Sequence, residues 1–175
     1  MNSQPKLHTL FRHDEIEATV KRLAAEIRED YHDKYPLLIG VLKGSFMFMA
    51  DLIRLLDFSL EVEFIRLSSY GRDRQSSGRI KVVQNLSSEV RDREVLVVED
   101  IVDTGLTTSF LLDYLRKKKP ASLKLCSLTD KPSRRQVPVN IDYLGFTAPN
   151  KFLVGYGLDW DQKFRNFPDI YVLED

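Results

Sequence analysis

A single cysteine, Cys126, stands among 175 residues, so a disulfide framework is excluded. The lone thiol fits a reducing compartment, and its alternation with Leu125 and Ser127 in an apparent strand makes it buried filler. Net charge is absent too. Twenty-six Lys and Arg balance 26 Asp and Glu, so no bulk attraction draws the chain to nucleic acid or to an anionic membrane. No apolar run is long enough to span a bilayer: the most apolar one, 37–56, is broken by Lys43, Asp51 and Arg54. The first residues lack the apolar segment of a secretory signal, and neither repeats nor low-complexity tracts occur. These absences point to a cytoplasmic globular protein of one domain, residues 1–175, with a single core.

What is present alternates between strand and helix patterns. Residues 1–11 have little pattern and are expected to be a loosely held arm. From Asp14 to Tyr31, apolar residues at Ile16, Val20, Leu23, Ala24, Ile27 and Tyr31 have helical spacing, with Asp14, Glu15 and Glu17 suited to the first turn. Leu37 to Leu42 is a continuous apolar run, as in a parallel strand buried on both faces. Lys43-Gly44 interrupts it, and Ser45 to Leu56 continues as an apolar helix. Leu60 to Leu67 and Arg79 to Val83 read as strands. The polar, Gly-bounded stretch 68–78 between them has nothing to bury and suits a lid.

The stretch from Val95 to Thr107 is the most informative. Four apolar residues, Val95 to Val98, make a short strand, expected to end where Glu99 and Asp100 begin. Asp103 follows in the turn Asp103-Thr104-Gly105-Leu106-Thr107, which runs into a helical stripe of Leu106, Phe110, Leu111, Tyr114 and Leu115. Ligands of open α/β sheets bind outside the carboxyl ends of strands, and a helix N-terminus offers unpaired N–H groups to a phosphate. Carboxylates beside a phosphate cradle require something positive or hydroxylic between them, so the stretch suits a phosphorylated sugar. Lys117 to Lys119 then suits the last turn of that helix, with Pro120 as its stop. Leu123–Leu128, Ile141–Phe146 and Ile170–Leu173 read as further strands. Lys131 precedes Pro132, which favours extended backbone and would project the lysine away from the sheet.

The Val95–Thr107 stretch closely resembles the phosphoribosyl-diphosphate (PRPP) motif of the type I phosphoribosyltransferases: an apolar run, two acids, two apolar residues, then Asp-Thr-Gly-x-Thr. A second long segment, Lys151-Phe152-Leu153-Val154-Gly155-Tyr156-Gly157-Leu158-Asp159, is similar to one in the hypoxanthine-guanine branch. The shorter Leu42-Lys43-Gly44, Ser69-Tyr70 and Lys131 motifs fall in the order of that branch. The resemblance runs from about Leu37 to the C-terminus. Leu106 and Leu153 are variants the family tolerates, and the lid matches only at Ser69-Tyr70.

The resemblance implies a mainly parallel, twisted sheet flanked by helices, with a small hood formed by terminal segments and a flexible lid hairpin. It implies transfer of the 5-phosphoribosyl group of PRPP to hypoxanthine or guanine, giving IMP or GMP and pyrophosphate in purine salvage, with Mg2+ as cofactor and a homodimer or homotetramer as assembly. In the roles it implies, Glu99 and Asp100 hold the ribose hydroxyls and join Asp159 at the metal. Asp103 is the general base, and Thr104, Gly105, Leu106 and Thr107 bind the 5-phosphate. Lys43, Gly44 and Arg165 bind pyrophosphate, sometimes with a non-proline cis peptide at Lys43, and Ser69 and Tyr70 start the lid. Lys131 donates to the purine 6-oxygen, a cation preferring a carbonyl to an amino group. Phe152 stacks on the base, Leu153 offers backbone groups to its edge, and Asp159 completes the purine site. Three alternatives stand beside this: a PRPP-sensing regulator on the same fold, a xanthine-preferring transferase, and an unrelated magnesium-dependent phosphate enzyme. The regulator would need a nucleic-acid surface, and neither an appended helix-turn-helix nor a positive net charge is present.

Overall fold

The computed structural model describes residues 5–69 and 80–174. In chain order the elements are β1 (Lys6–Phe11), α1 (His13–Tyr31), β2 (Leu37–Leu42), α2 (Phe46–Ile53), β3 (Glu61–Ser69), β4 (Ile80–Gln84), β5 (Glu94–Val102), α3 (Leu106–Arg116), β6 (Ser122–Asp130), β7 (Tyr143–Thr147), β8 (Phe152–Val154) and β9 (Ile170–Glu174). Six strands form one sheet in the order β4-β3-β2-β5-β6-β7. Its neighbours run parallel except at the β3–β4 hairpin.

The apolar runs explain the layers. Successive strand residues point to opposite faces, so a run without polar alternation must be covered on both. Leu38, Leu96, Val98 and Cys126 pack with α1 and α2 on one face. Leu37, Ile39, Val95, Val97 and Leu125 pack with α3 on the other. All six apolar residues of the expected α1 stripe are buried, and Asp14 and Glu15 lie in its first turn. Cys126 is fully buried filler.

Several expectations are corrected. The arm is not loose over residues 6–11: β1 pairs antiparallel with β9, which pairs with β8, giving a separate three-stranded sheet. The partner of β1 lies at the far end of the chain, so no local periodicity announces the pairing. The expected last strand at 170–173 is β9, the middle strand of this smaller sheet. α2 ends at Ile53 instead of Leu56, because Leu55 and Leu56 bond to carbonyls three residues back and tighten the last turn. In α3, Leu106 is exposed and Thr108, Leu111, Leu112 and Leu115 form the buried side. Lys117 is its C-cap, with Lys118 and Lys119 beyond the helix. The strand of the acidic motif does not stop at Val98. It continues through Glu99 and Asp100 to Val102, held by parallel pairing with β6 as far as Val102–Asp130.

Chain order places the site. From β2 the chain moves outward to β3 on one side, and from β5 outward to β6 and β7 on the other. The carboxyl ends of β2 and β5 therefore flank the point where the winding reverses, the preferred ligand crevice of such sheets. Of the expected lid, Ser68 and Ser69 belong to β3 and Ser69 pairs with Ile80, while Tyr70 and the rest of the loop lie outside the described residues. No helix among the described residues is long and apolar enough to cross a membrane.

Leu96 is fully buried in β5. Leu96→Ala is expected to cost about 2–5 kcal/mol, from lost transfer energy plus a residual cavity. Urea denaturation should show a lower midpoint at constant slope.

Candidate active site

At the reversal point a cavity of about 500 Å3 opens between the carboxyl ends of β2 and β5 and the strand β8. Its walls include Lys43, Gly44, Asp100, Asp103 and Lys131 from the large sheet and its turns. Phe152, Leu153, Asp159 and Arg165 come from the segment that leads through the small one. That volume suits a small-molecule site.

β2 ends in the turn Lys43-Gly44, and the Leu42–Lys43 peptide is cis. The buried Ser45 hydroxyl donates to the Val41 carbonyl at 2.8 Å, and the Ser45 amide turns back to the same carbonyl. The turn therefore offers its face at Gly44. A side chain at Gly44 would overlap the Asp100 carboxylate, so only glycine allows this approach. Gly157, at φ 98°, approaches the Gly44 carbonyl with equally little room.

Because β5 continues past Val98, its two acids part. Asp100 faces Gly44 and the cavity. Glu99 is 5 % exposed and hydrogen-bonds to the Thr108 side chain on α3. Burial pushes Asp100 up to about 6, and Asp159 adds to the rise. The backbone amides of Asp100 and Ile101 and the Arg165 guanidinium pull the other way. Glu99 is also held well above the usual carboxylate range, first by burial and then by the Asp100 charge.

Asp103 lies at the cavity edge with Arg134 Nε 3.0 Å from its Oδ1. The contact is ionic, since that oxygen has no hydrogen-bond partner among the described residues. Lys131 is not thrown out to solvent: it is 5 % exposed, its amide donates to Val102, and burial lowers its ammonium pKa against the opposing pull of Asp103. Thr104, Gly105, Leu106 and Thr107 adjoin Asp103 and open α3, with Gly105 at φ 83° as N-cap, but they are not among the cavity walls. The connector after Lys131 is pinned over this turn, the amides of Gln136 and Val137 both donating to the Thr104 carbonyl.

Across the cavity, Arg165 donates to the Gly157 carbonyl at 2.6 Å and lies 2.6 Å from Asp159 Oδ1. Its Nε is buried without a partner among the described residues. Asp159 Oδ2 accepts the Gln162 amide, whose side-chain oxygen accepts from Lys43. Phe152 is half exposed into the cavity, whereas Leu153 is buried. Among the described residues, no three His, Cys, Asp or Glu side chains are grouped so that they could hold a metal ion by themselves. Asp100 and Asp159 nonetheless share the cavity and repel each other, a donor pair that suits a hard divalent cation retaining water ligands.

Similarity to known proteins agrees with this geometry. The sequence profile of the phosphoribosyl transferase domain matches residues 7–161. The chain belongs to the phosphoribosyl transferase family. The hypoxanthine-guanine phosphoribosyltransferase of Aquifex aeolicus is 48% identical over 171 residues, which are 97% of this chain and 96% of that protein. The Bacillus subtilis enzyme of the same name is 46% identical over 165 residues, 94% of this chain and 92% of its own. Among solved structures, a hypoxanthine-guanine phosphoribosyltransferase from Bacillus anthracis superposes with a TM-score of 0.92 at 41% identity, covering 98% of this chain and all of that one. The architecture is the type I phosphoribosyltransferase fold, a mostly parallel sheet with flanking helices.

For this phosphoribosyltransferase, the residues brought to one cavity are Lys43, Gly44, Asp100, Asp103, Lys131, Phe152, Leu153, Asp159 and Arg165. Glu99 and the Thr104–Thr107 turn lie beside it. Sequence reasoning missed Arg134 and Gln162. The pair Arg134-Arg135, three residues after Lys131, is a cation cluster that could have drawn attention. Gln162 carries no comparable signal.

A carboxyl whose folded pKa is raised stabilises the native state below its unfolded value, about 3.9 for Asp, and loses that contribution as pH rises through the folded value. For Asp100 the window runs from about pH 4 to beyond 6. The wild-type chain is therefore expected to lose stability relative to Asp100→Asn across pH 4–7, by roughly 1–3 kcal/mol. Chemical denaturation of both in a chelating buffer checks this, and parallel pH profiles would contradict it.

Proposed function

We propose that this chain transfers the 5-phosphoribosyl group of PRPP to a 6-oxopurine, hypoxanthine or guanine, releasing IMP or GMP and pyrophosphate. The observation that carries this reading is a buried Lys131 in one cavity with Asp103, Phe152 and the acid–cation pair Asp159–Arg165. The enzyme names of the relatives point the same way.

The purine imidazole nitrogen attacks ribose C1 as the bond from C1 to pyrophosphate breaks. Positive charge develops on the ribose, and carboxylates nearby stabilise it electrostatically. Asp100 serves from the cavity. Glu99, on the opposite side of β5, serves from beneath the start of α3, and both hold the ribose hydroxyls. Asp103 accepts the imidazole proton at N7, exchanging its contact with Arg134 for the base. The 5-phosphate lies on the backbone amides and Thr hydroxyls of Thr104–Thr107, at the positive end of α3. Lys43, Gly44 and Arg165 hold the departing pyrophosphate, the guanidinium by its planar fork. Bound Mg2+ would neutralise pyrophosphate charge, held by Asp159 and Asp100 with Glu99 behind them. Lys131 donates to the 6-oxygen, Phe152 stacks on the ring, and Leu153 meets its edge through the backbone. Ser69 and Tyr70 begin the lid that excludes water. The catalytic unit is one domain, residues 1–175, acting in the cytoplasm as a homodimer or homotetramer. Its partners are small molecules, not nucleic acid or membrane.

Guanine and hypoxanthine, followed by absorbance with PRPP and Mg2+, are expected to turn over, and adenine is not. Inactivity toward every purine would leave a PRPP-binding regulator as the better reading. Asp103→Asn should lower kcat by roughly ten- to ten-thousandfold with PRPP binding largely intact. Lys131→Ala should abolish base binding or blunt discrimination against adenine, and unchanged purine KM values would remove it from that role.

A further inference from the structure

Behind the cavity wall, Tyr156 is 4 % exposed and its hydroxyl donates to Asp51 Oδ2 at 2.5 Å. Burial first, and the Asp51 carboxylate second, hold this phenol far above the usual tyrosine range, so it remains a donor. The other Asp51 oxygen is paired with Arg54, which orients the acceptor. A hydroxyl donating to a carboxylate at this distance is a strong, directional bond.

The two partners sit on the two walls that meet at the site. Asp51 belongs to α2, which grows directly out of the Lys43-Gly44 turn. Tyr156 immediately precedes Gly157 in the segment that carries Asp159 and Arg165. Where these walls touch there is no slack. A side chain at Gly157 would overlap the Gly44 carbonyl. The Gly157 amide donates to the Arg165 carbonyl at 2.9 Å, and Arg165 returns a bond to the Gly157 carbonyl. A displacement of Tyr156 therefore carries Gly157, Arg165 and Asp159 with it. Tyr156 belongs to the main buried cluster, but on the side of Asp51 and Arg54 a second cavity of about 270 Å3 leaves its packing incomplete.

We propose that Asp51 and Tyr156 are a positioning pair whose hydrogen bond sets the spacing between the Lys43-Gly44 turn and the Asp159–Arg165 segment, and so the grip on a pyrophosphate–divalent cation complex. Neither residue touches substrate. The identity of the anion rests on the phosphoribosyl-transfer reading above. Misplacing binding groups by a fraction of an ångström to an ångström is costly even when the displaced residue is remote from the chemistry.

Trp160 is the sole tryptophan and lies beside Asp159, so its fluorescence can report Mg2+–pyrophosphate binding without turnover. Tyr156→Phe should weaken that binding, and raise the PRPP KM, by roughly five- to fiftyfold, with guanine KM within about twofold of wild type. Asp51→Asn retains an acceptor oxygen and should recover most of the affinity. Tyr156→Phe combined with Asp51→Ala should be no worse than either alone, because both remove one interaction. Wild-type affinity and PRPP KM in Tyr156→Phe, or additive losses in the double variant, would overturn the proposal. A wild-type chain that bound Mg2+–pyrophosphate but turned over no purine would instead sink the functional reading, and the fluorescence series would still decide the role of the pair.

Discussion

The structure depends on one close approach of backbone to backbone. At the carboxyl end of β2, Gly44 lies against the Asp100 carboxylate on one side and against Gly157 on the other, with no space for a methyl group at either glycine. Three chain segments, far apart in sequence, are thereby brought within reach of one small ligand. The parallel sheet makes this possible because the chain winds outward in both directions from β2 and β5, leaving their ends uncovered by a crossover. The small sheet makes it stable. Leu153, Tyr156, Leu158 and Ile170 join the same buried cluster as α1 and α2, so the Asp159 segment is anchored to the main core.

Two opposite-charge pairs and one charge–amide hydrogen bond surround this junction. Arg134 meets Asp103, Arg165 meets Asp159, and Lys43 is held by Gln162. Such pairing limits the cost of concentrating like charges in a partly buried crevice. It also leaves each group a partner to exchange. Under the proposed function, a polyanion arriving with a divalent cation would meet the cationic groups and the carboxylates together. Burial, more than the neighbouring Asp159 charge, raises the pKa of Asp100, and the Arg165 guanidinium, itself paired with Asp159, offsets only part of that rise.

Much of this was legible in the residues. The six-residue stripe of α1, the doubly buried runs of β2 and β5, and the Gly105 turn at the head of α3 all follow from local pattern, since periodicity and turn chemistry act over a few residues. The cavity set from Lys43 to Arg165 was legible because two long motifs placed the shorter ones in order. The β1–β9 pairing was not, because an edge strand of mixed polarity is defined by its partner and not by its own period. Nor was the role of Gln162, whose contacts to Lys43 and Asp159 depend on a turn with Asp161 and Gln162 at positive φ. Uncharged amides in such turns carry no distinguishing signal.

The division of Glu99 and Asp100 shows what a one-dimensional reading loses. Adjacent acids after an apolar run look like one anionic cluster at a strand end. Parallel pairing with β6 carries the strand four residues further, as far as Val102, and the pleat then sends neighbours to opposite faces. Asp100 enters the crevice, and Glu99 is driven beneath α3, where Thr108 satisfies it. Two carboxylates on one face would repel at close range. On opposite faces of one strand they stand apart, one at the crevice and one beneath the turn that opens α3. The same strand extension delivers Asp103 to the head of α3 and, through the Val102 carbonyl, fixes the Lys131 backbone. The length of β5, more than the identity of any single acid, therefore sets how far apart Asp100, Asp103 and Lys131 lie around the cavity.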